Sequence, residues 1–329
     1  KQIQSVSFYQ MTTETTFELA AHVFVDATGN GTLGFFAGAE YKIGREASSE
    51  YSEKDAPPVA DGETMGNTIY FVAEDVGHPV KFLKPDWAHT FSEEDFAYRY
   101  HGDIVVYHSA DDVVVLKPDE DYEQYSDELV EKYDVKSGYW WIELGGDYDD
   151  IIGQSEEIRD DLLKCVYGVW DHLKNQGKHG VETYDLEWVG MVPGYRESRR
   201  LEGDYFLNEN DVRANRVFED AVAYGGWPMD VHIPSGIKDL KSVGSKIYNF
   251  EGCYTIPYRC YYSRNISNLM MAGRNISVSK MAFSSSRVMG TCAVGGQAVG
   301  TAAALALKYG CSPKSVGQMH IKELQQKLL

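Results

Sequence analysis

Short apolar clusters separated by polar turns open the chain: Ile3, Val6 and Phe8, then 16–19, then the apolar run 22–27. That spacing predicts two or three strands in a β-meander over 1–28, ending in the DATGNG turn. Residues 32–39 (TLGFFAGA) suit a short helix closed by Gly38, and the polar 47–66, with Pro57-Pro58, reads as a linker or excursion. Strands are predicted at 68–72, 113–116 and 139–144 among acidic, Tyr-rich loops. Ser155 followed by Glu156-Glu157 starts a helix. Ile158, Leu162, Cys165, Val166, Val169, Trp170 and Leu173 then share one face as far as about Lys174. A strand at 185–192, a helix from Asn210 over 212–223, strands near Thr255 and Leu269, and a last helix at 313–328 complete the pattern. There are no internal repeats.

The densest signal lies in 268–307. A strand at Leu269–Ala272 runs into Gly273-Arg274-Asn275, and a Ser-rich loop then leads to a helix of small residues starting near Gly290-Thr291. Gly296, Gly300 and Ala304 recur every four positions, so one face is nearly bare and admits close approach. Free N–H groups and a positive dipole end at the helix start suit an electron-rich ligand edge or a phosphate. Two other readings compete, a close-packed helix–strand unit and a membrane span, since 288–307 is uncharged. Thr291, Gln297, Thr301 and the glycines dilute the run a span requires.

Composition narrows the function classes. With 50 acids against 31 bases the net charge is −19, which argues against nucleic acid and anionic membrane surfaces as partners. The 329 residues have room for about two domains. The five cysteines, Cys165, Cys253, Cys260, Cys292 and Cys311, are scattered, without a CxxC pair or a Cys/His cluster of zinc-ligand spacing. No metal site is expected, and reduced, mostly buried thiols lean toward a reducing, cytoplasmic compartment. Cys292 falls in the first turn of the small-residue helix, where the dipole favours a thiolate, although packing is the stronger expectation. The chain starts at Lys1 and 1–9 already pattern like a strand, so it is expected to begin inside a domain.

Gly29-Asn30-Gly31-Thr32-Leu33-Gly34 spells GxGxxG directly after an apolar strand. A dinucleotide fingerprint also needs a helix, a second buried strand and an acid about 20 residues on. The polar, Pro-rich YSEKDAPP stands there instead, so a separate NAD site is disfavoured.

The 268–307 stretch resembles the C-terminal signature of the FAD-dependent oxidoreductase family, within the glutathione-reductase-like flavoprotein group. Three segments carry the same resemblance: FVDATGNGTLGFFAGAEYKIGRE (24–46), GYRESRRLEGDYFLNENDV (194–212) and IPYRCYYSRNISNLMMAGRN (256–275). It implies an α/β fold with a discontinuous FAD-binding-type domain, 1–45 plus 254–329, and an inserted substrate domain on a mixed sheet, 46–253. It also implies that 28–31 form the family's second glycine turn, near the nucleotide part of FAD. The family's pyrophosphate-binding glycine loop is expected upstream of Lys1, on a further N-terminal segment or a partner chain. FAD is therefore expected to bind weakly or not at all to this chain alone.

The resemblance names cofactor-binding candidates: Thr28, Gly29, Asn30 and Gly31 at the glycine turn, and Gly273, Arg274 and Asn275 after the strand. Arg287, Gly290, Thr291, Cys292 and Ala293 complete the set at the helix start, with Arg274 or Asn275 toward the ribityl chain. On a strand, Arg196 and Ser198 would share one face and Glu197 and Arg199 the other. A cleft arginine, Arg196 or Arg199, suits an anionic or polyhydroxylated substrate, and a salt-bridged strand is the structural counterpart. Asp230 and His232 sit two apart, with His232 suited to remove an alcohol proton as hydride leaves. The expected function is hydride transfer between FAD and a small polar, sugar-like substrate. The alternative is a non-catalytic binding module that keeps the fold without flavin. Oligomeric state stays open.

Overall fold

The computed structural model describes residues 1–102, 104–108, 113–116, 129–133, 135–136, 138–177 and 179–329, with the side chains of 103–134 left out. Part of the acidic, Tyr-rich loops expected after residue 67 (109–112 and 117–128) lies outside the described residues. The architecture is mixed α and β, with short sheets of two or three strands. The chain forms two compact units: Lys1–Gly62 with Glu197–Val231 and Ile247–Leu329, and Glu63–Arg196 with His232–Lys246. Residues 46–62, 197–231 and 247–253 cluster with the first of these units.

In unit 1, Ser5–Gln10 and Thr15–Ala20 form an exposed antiparallel hairpin. The third strand does not continue a meander. Phe24–Asp26 instead pairs in parallel with Leu269–Met271, in register Leu269↔Phe24 and Met271↔Asp26. Val23, Phe24 and Val25 make this strand more apolar than the hairpin, which carries polar residues on both faces, and Phe24 and Asp26 are buried where it pairs. The helix Thr32–Ala37 follows, and a Cβ on Gly34 would lie 2.6 Å from Leu201 Cδ1. Next comes Tyr41–Lys42, antiparallel to Arg200–Leu201. Among the described residues, the GxGxxG letters thus open no βαβ unit.

A buried ion network draws 46–62 and 197–213 into this unit. Arg200, fully buried, donates to Glu197 Oε1 (2.7 Å), Glu46 Oε1 (2.9 Å) and the Gly44 carbonyl (2.8 Å). Lys280 pairs with the other oxygen of Glu197, and its backbone N–H donates to Glu46 Oε2 (2.8 Å).

The expected Ser-rich loop is partly a helix, Lys280–Ser286, capped by Ser279. Two of its buried serines have hydroxyl partners, Ser284 donating to Met281 O and Ser285 to Trp227 O. The small-residue helix is Met289–Tyr309. Gly295 is its close-packing glycine, where a Cβ would lie 2.7 Å from the Tyr261 ring, while Gly296 and Gly300 have nothing within 4 Å. This is the one helix among the described residues long and apolar enough to cross a membrane. Its face of Gly295, Ala298, Ala302, Leu305 and Ala306 is buried within the unit. The helix expected over 212–223 is only Glu209–Arg213, because Ala221–Gly225 is a strand paired with Tyr254–Pro257. The final helix is broken at His320 into Pro313–Met319 and Ile321–Leu328.

Unit 2 packs around the helix Ser155–Asp171, which continues as a π-helical turn, His172–Gln176. Ile158, Leu162, Val166, Val169 and Trp170 bury against Phe71, Tyr139 and Trp141, as the helical spacing predicts. Asn67–Thr68 pairs with Glu143–Leu144, Phe71–Asp75 with Tyr184–Val189, and Ile104–His108 lies between Val113–Leu116 and Leu129–Tyr133. All these pairs are antiparallel, in place of the expected mixed sheet. The strand expected at 139–144 shrinks to its last two residues because Tyr139 and Trp141 turn to stack at 5.1 Å.

Candidate functional site

Asp26, at the end of its strand and fully buried, builds the glycine turn. Its Oδ1 accepts from the Thr28 N–H (3.0 Å) and hydroxyl (2.7 Å), and its Oδ2 from the Gly34 N–H (2.8 Å). Gly29 (φ 78°) and Gly31 (φ 63°) supply left-handed backbone that other residues adopt at a cost. Asn30 between them is the hub: its Oδ1 accepts from Ser198 Oγ (3.0 Å) and Arg274 Nη2 (2.7 Å), and its carbonyl from Arg199 Nη1 (3.3 Å). A Cβ on Gly29 would lie 2.5 Å from Arg274 Nη1, so glycine lets this guanidinium lie against the turn.

Arg274 is the unusual member. It has no carboxylate partner among the described residues, and its Nε is buried without a hydrogen-bond partner. Burial pulls its pKa below the ordinary arginine value, with only Cys292 nearby opposing. The start of the small-residue helix is likewise uncompensated. Val288 at the cap position makes no side-chain cap, the first backbone bond runs from Cys292 N–H to Val288 O (3.0 Å), and Met289 and Gly290 are exposed. Thr291 is buried and Ala293 exposed. Cys292 packs as a thiol, donating to Arg287 O at 3.4 Å, and burial raises its pKa more than Arg274 lowers it. Gly273 turns with φ 101°.

Two other candidates are committed elsewhere. Asn275 is fully buried and donates to the Asp26 carbonyl (3.2 Å), joining the two parallel strands, which leaves Arg274 as the member of the pair nearer the surface. Arg287 pairs with Asp230 at 3.0 Å.

The strand geometry expected for 196–200 is absent, since only Arg200–Leu201 is a strand. Arg196 and Glu197 fall in different units. In unit 2, Arg196 donates to Thr68 Oγ1 (2.5 Å) and Trp140 O (3.1 Å) and lies 3.3 Å from Glu143 Oε2. The same oxygen is 2.6 Å from His232 Nδ1, so Glu143 joins two of the predicted catalytic residues. Nothing in the sequence pointed to Glu143, which reads as an ordinary acid two residues after a Trp pair. Arg196 also lines a cavity of about 380 Å³ with Thr68, Tyr70, Trp188, Val192 and Tyr195. Arg199 belongs to unit 1, where its guanidinium lies 4.0 Å over the Phe35 ring. Asp230, in unit 1, pairs with Arg287, and His232, in unit 2, with Glu143.

No curated protein and no solved structure matches the chain. A family model described as FAD dependent oxidoreductase matches residues 1–328, so the chain belongs to that family, whose role is flavin redox chemistry with FAD as cofactor.

Proposed function

We propose that unit 1 holds the ring end of FAD through Arg274, the Gly29–Gly31 turn and the first turn of the Met289–Tyr309 helix. In this reading the protein moves hydride between the flavin and a small polar substrate of the sugar-alcohol kind. The observation that carries it is Arg274, a largely buried guanidinium without an acid, next to an uncapped helix start. Both features fit an electron-rich group, and both favour negative charge there. Bound FAD supplies the redox step itself. The chain's residues bind and orient: Arg274 and the N–H groups of 289–291 hold negative charge, and Ser198 and Asn30 fix the guanidinium. In unit 2, Glu143 holds the His232 ring through Nδ1 at 2.6 Å, the kind of orientation a general base requires.

The strand, glycine turn and helix at 24–37 open no βαβ unit of the kind that seats a pyrophosphate, so binding by this chain alone is expected to be weak. Titration of the purified chain with FAD, followed by quenching of flavin fluorescence, tests the reading. Arg274→Met should weaken binding about tenfold or more, the equivalent of one charge-assisted hydrogen bond. Unchanged affinity in that variant would remove the site.

A further inference from the structure

We propose that unit 2 contains a zinc site formed by Glu93, His101, His172 and His179. The four residues come from separate stretches of sequence, which is why no ligand spacing is visible in the chain. Glu93 opens the 3-10 turn Glu93–Phe96, fixed by the Ser92–Asp95 capping box. His101 follows that turn. His172 begins the π-helical turn that ends the long helix, a backbone form enriched at functional sites, and His179 lies just beyond it. One potential ligand atom from each residue falls within 4.8 Å of all the others.

The distances are of the size a four-coordinate ion needs. Glu93 Oε1 lies 3.1 Å from His101 Nε2, and its Oε2 lies 3.1 Å from His172 Nε2 and 3.5 Å from His179 Nε2. Zinc bonds of about 2.0–2.1 Å set tetrahedral edges of about 3.4 Å. Glu93 is exposed, so its side chain can adjust to close the widest separation.

The tautomers point the same way. His172 Nδ1 lies 3.2 Å from the Phe91 carbonyl, and His101 Nδ1 lies 3.0 Å from the Arg99 carbonyl. A carbonyl accepts only, so each Nδ1 must donate, and in the neutral ring Nε2 then carries a lone pair. Those lone pairs face a carboxylate, which also offers only lone pairs. A backbone carbonyl on the far nitrogen is the usual outer-shell support of a metal-bound imidazole. His172 is fully buried, and its Nε2 makes no hydrogen bond although it is aimed into the cluster; His179 Nε2 is buried and unpaired as well. A single proton satisfies one such contact, whereas one divalent cation satisfies all four donors. Three imidazoles and a carboxylate suit zinc rather than magnesium or calcium. The ion would tie the 93–101 segment to the end of the long helix, a structural role with every position filled by protein.

The test uses the full chain, stripped with a chelator and titrated with Zn²⁺ by calorimetry, then with Co²⁺ as a spectroscopic probe. One equivalent of zinc is expected, with visible Co²⁺ bands of tetrahedral intensity displaced by zinc. Glu93→Gln and His179→Ala should each weaken zinc binding at least about 100-fold, the upper end of what losing outer-shell support alone costs. Thermal unfolding in chelator should be the same for wild type and both variants, which separates lost ligation from lost folding. Zinc affinity unchanged in both variants, or weak octahedral Co²⁺ bands, would overturn the assignment.

Discussion

Glu197→Gln isolates the buried ion network of unit 1. Arg200, Glu197, Glu46 and Lys280 are at most 4% exposed and balance as two cations and two anions. The substitution keeps the side chain's shape and removes one anion. The amide keeps one acceptor oxygen for either Arg200 or Lys280 and turns an NH2 donor toward the other, and both lose the shared negative charge. One uncompensated charge then stays in the interior, which costs about 3–5 kcal/mol when a buried pair is broken from one side. Lys280→Met alone leaves the opposite imbalance and should cost a similar amount. The double variant restores neutrality around Arg200–Glu46 and should lie within about 1–2 kcal/mol of wild type, a coupling of about 4 kcal/mol or more. Tryptophan fluorescence is a poor probe, since Trp227 is the one tryptophan of unit 1. Amide exchange in the Met289–Tyr309 helix reads that unit directly, and its slowest protons should exchange at least about 100-fold faster in Glu197→Gln. A loss below about 1 kcal/mol, or simple additivity in the double variant, would show that water or a neighbouring group already compensates the charge.

The packing assigned to the small-residue helix predicts opposite signs at neighbouring glycines. Gly295→Ala should destabilise by about 1–3 kcal/mol, because its Cβ meets the fully buried Tyr261 ring. Gly296→Ala and Gly300→Ala should stabilise by about 0.5–1 kcal/mol, since an added Cβ meets nothing within 4 Å at either helix position, and thermal unfolding of the three variants decides it. Burial, chiefly, raises the Glu53 carboxyl above its ordinary 4.5, with Glu46 and Glu209 adding to it. A raised acid makes the native state bind more protons than the unfolded one, so stability should fall as pH rises from about 4.5 through the folded pKa. Glu53→Gln should flatten that decline and raise stability at pH 7 relative to wild type; a pH–stability profile parallel to wild type would contradict it.

Local pattern carried the parts of this fold that depend on near neighbours. The apolar 22–27 run and Leu269–Ala272 were recognisable as strands, and the helical stripe from Ile158 to Leu173 marked the core of unit 2. The start of the small-residue helix was legible to within a residue or two. Spacing failed where a distant partner decides. Gly296 and Gly300 have perfect four-residue periodicity and touch nothing, while Gly295, outside the repeat, meets Tyr261. The alternation read into 196–200 assumed one strand, yet Arg196 is held by Thr68, Trp140 and Glu143 in one unit, and Arg200 by Glu46 and Glu197 in the other. The four convergent groups around Glu93 lie up to 86 residues apart in sequence, beyond any motif window.

Arg200 and Arg274 show how structure separates two arginines that a sequence presents alike. Both are withdrawn from water. Arg200 meets two carboxylates and a backbone carbonyl, so its charge is compensated by the chain itself, and its removal is a folding question. Arg274 meets one amide oxygen, and burial depresses its pKa with no acid to restore it. Desolvating a guanidinium without a counter-charge is a cost to the folded chain. A ligand bearing negative charge would remove that cost when it binds, and would gain the same interaction in return. The uncompensated arginine, with the uncapped helix start next to it, is therefore a better pointer to the proposed flavin site than the glycine pattern that first drew attention to the region.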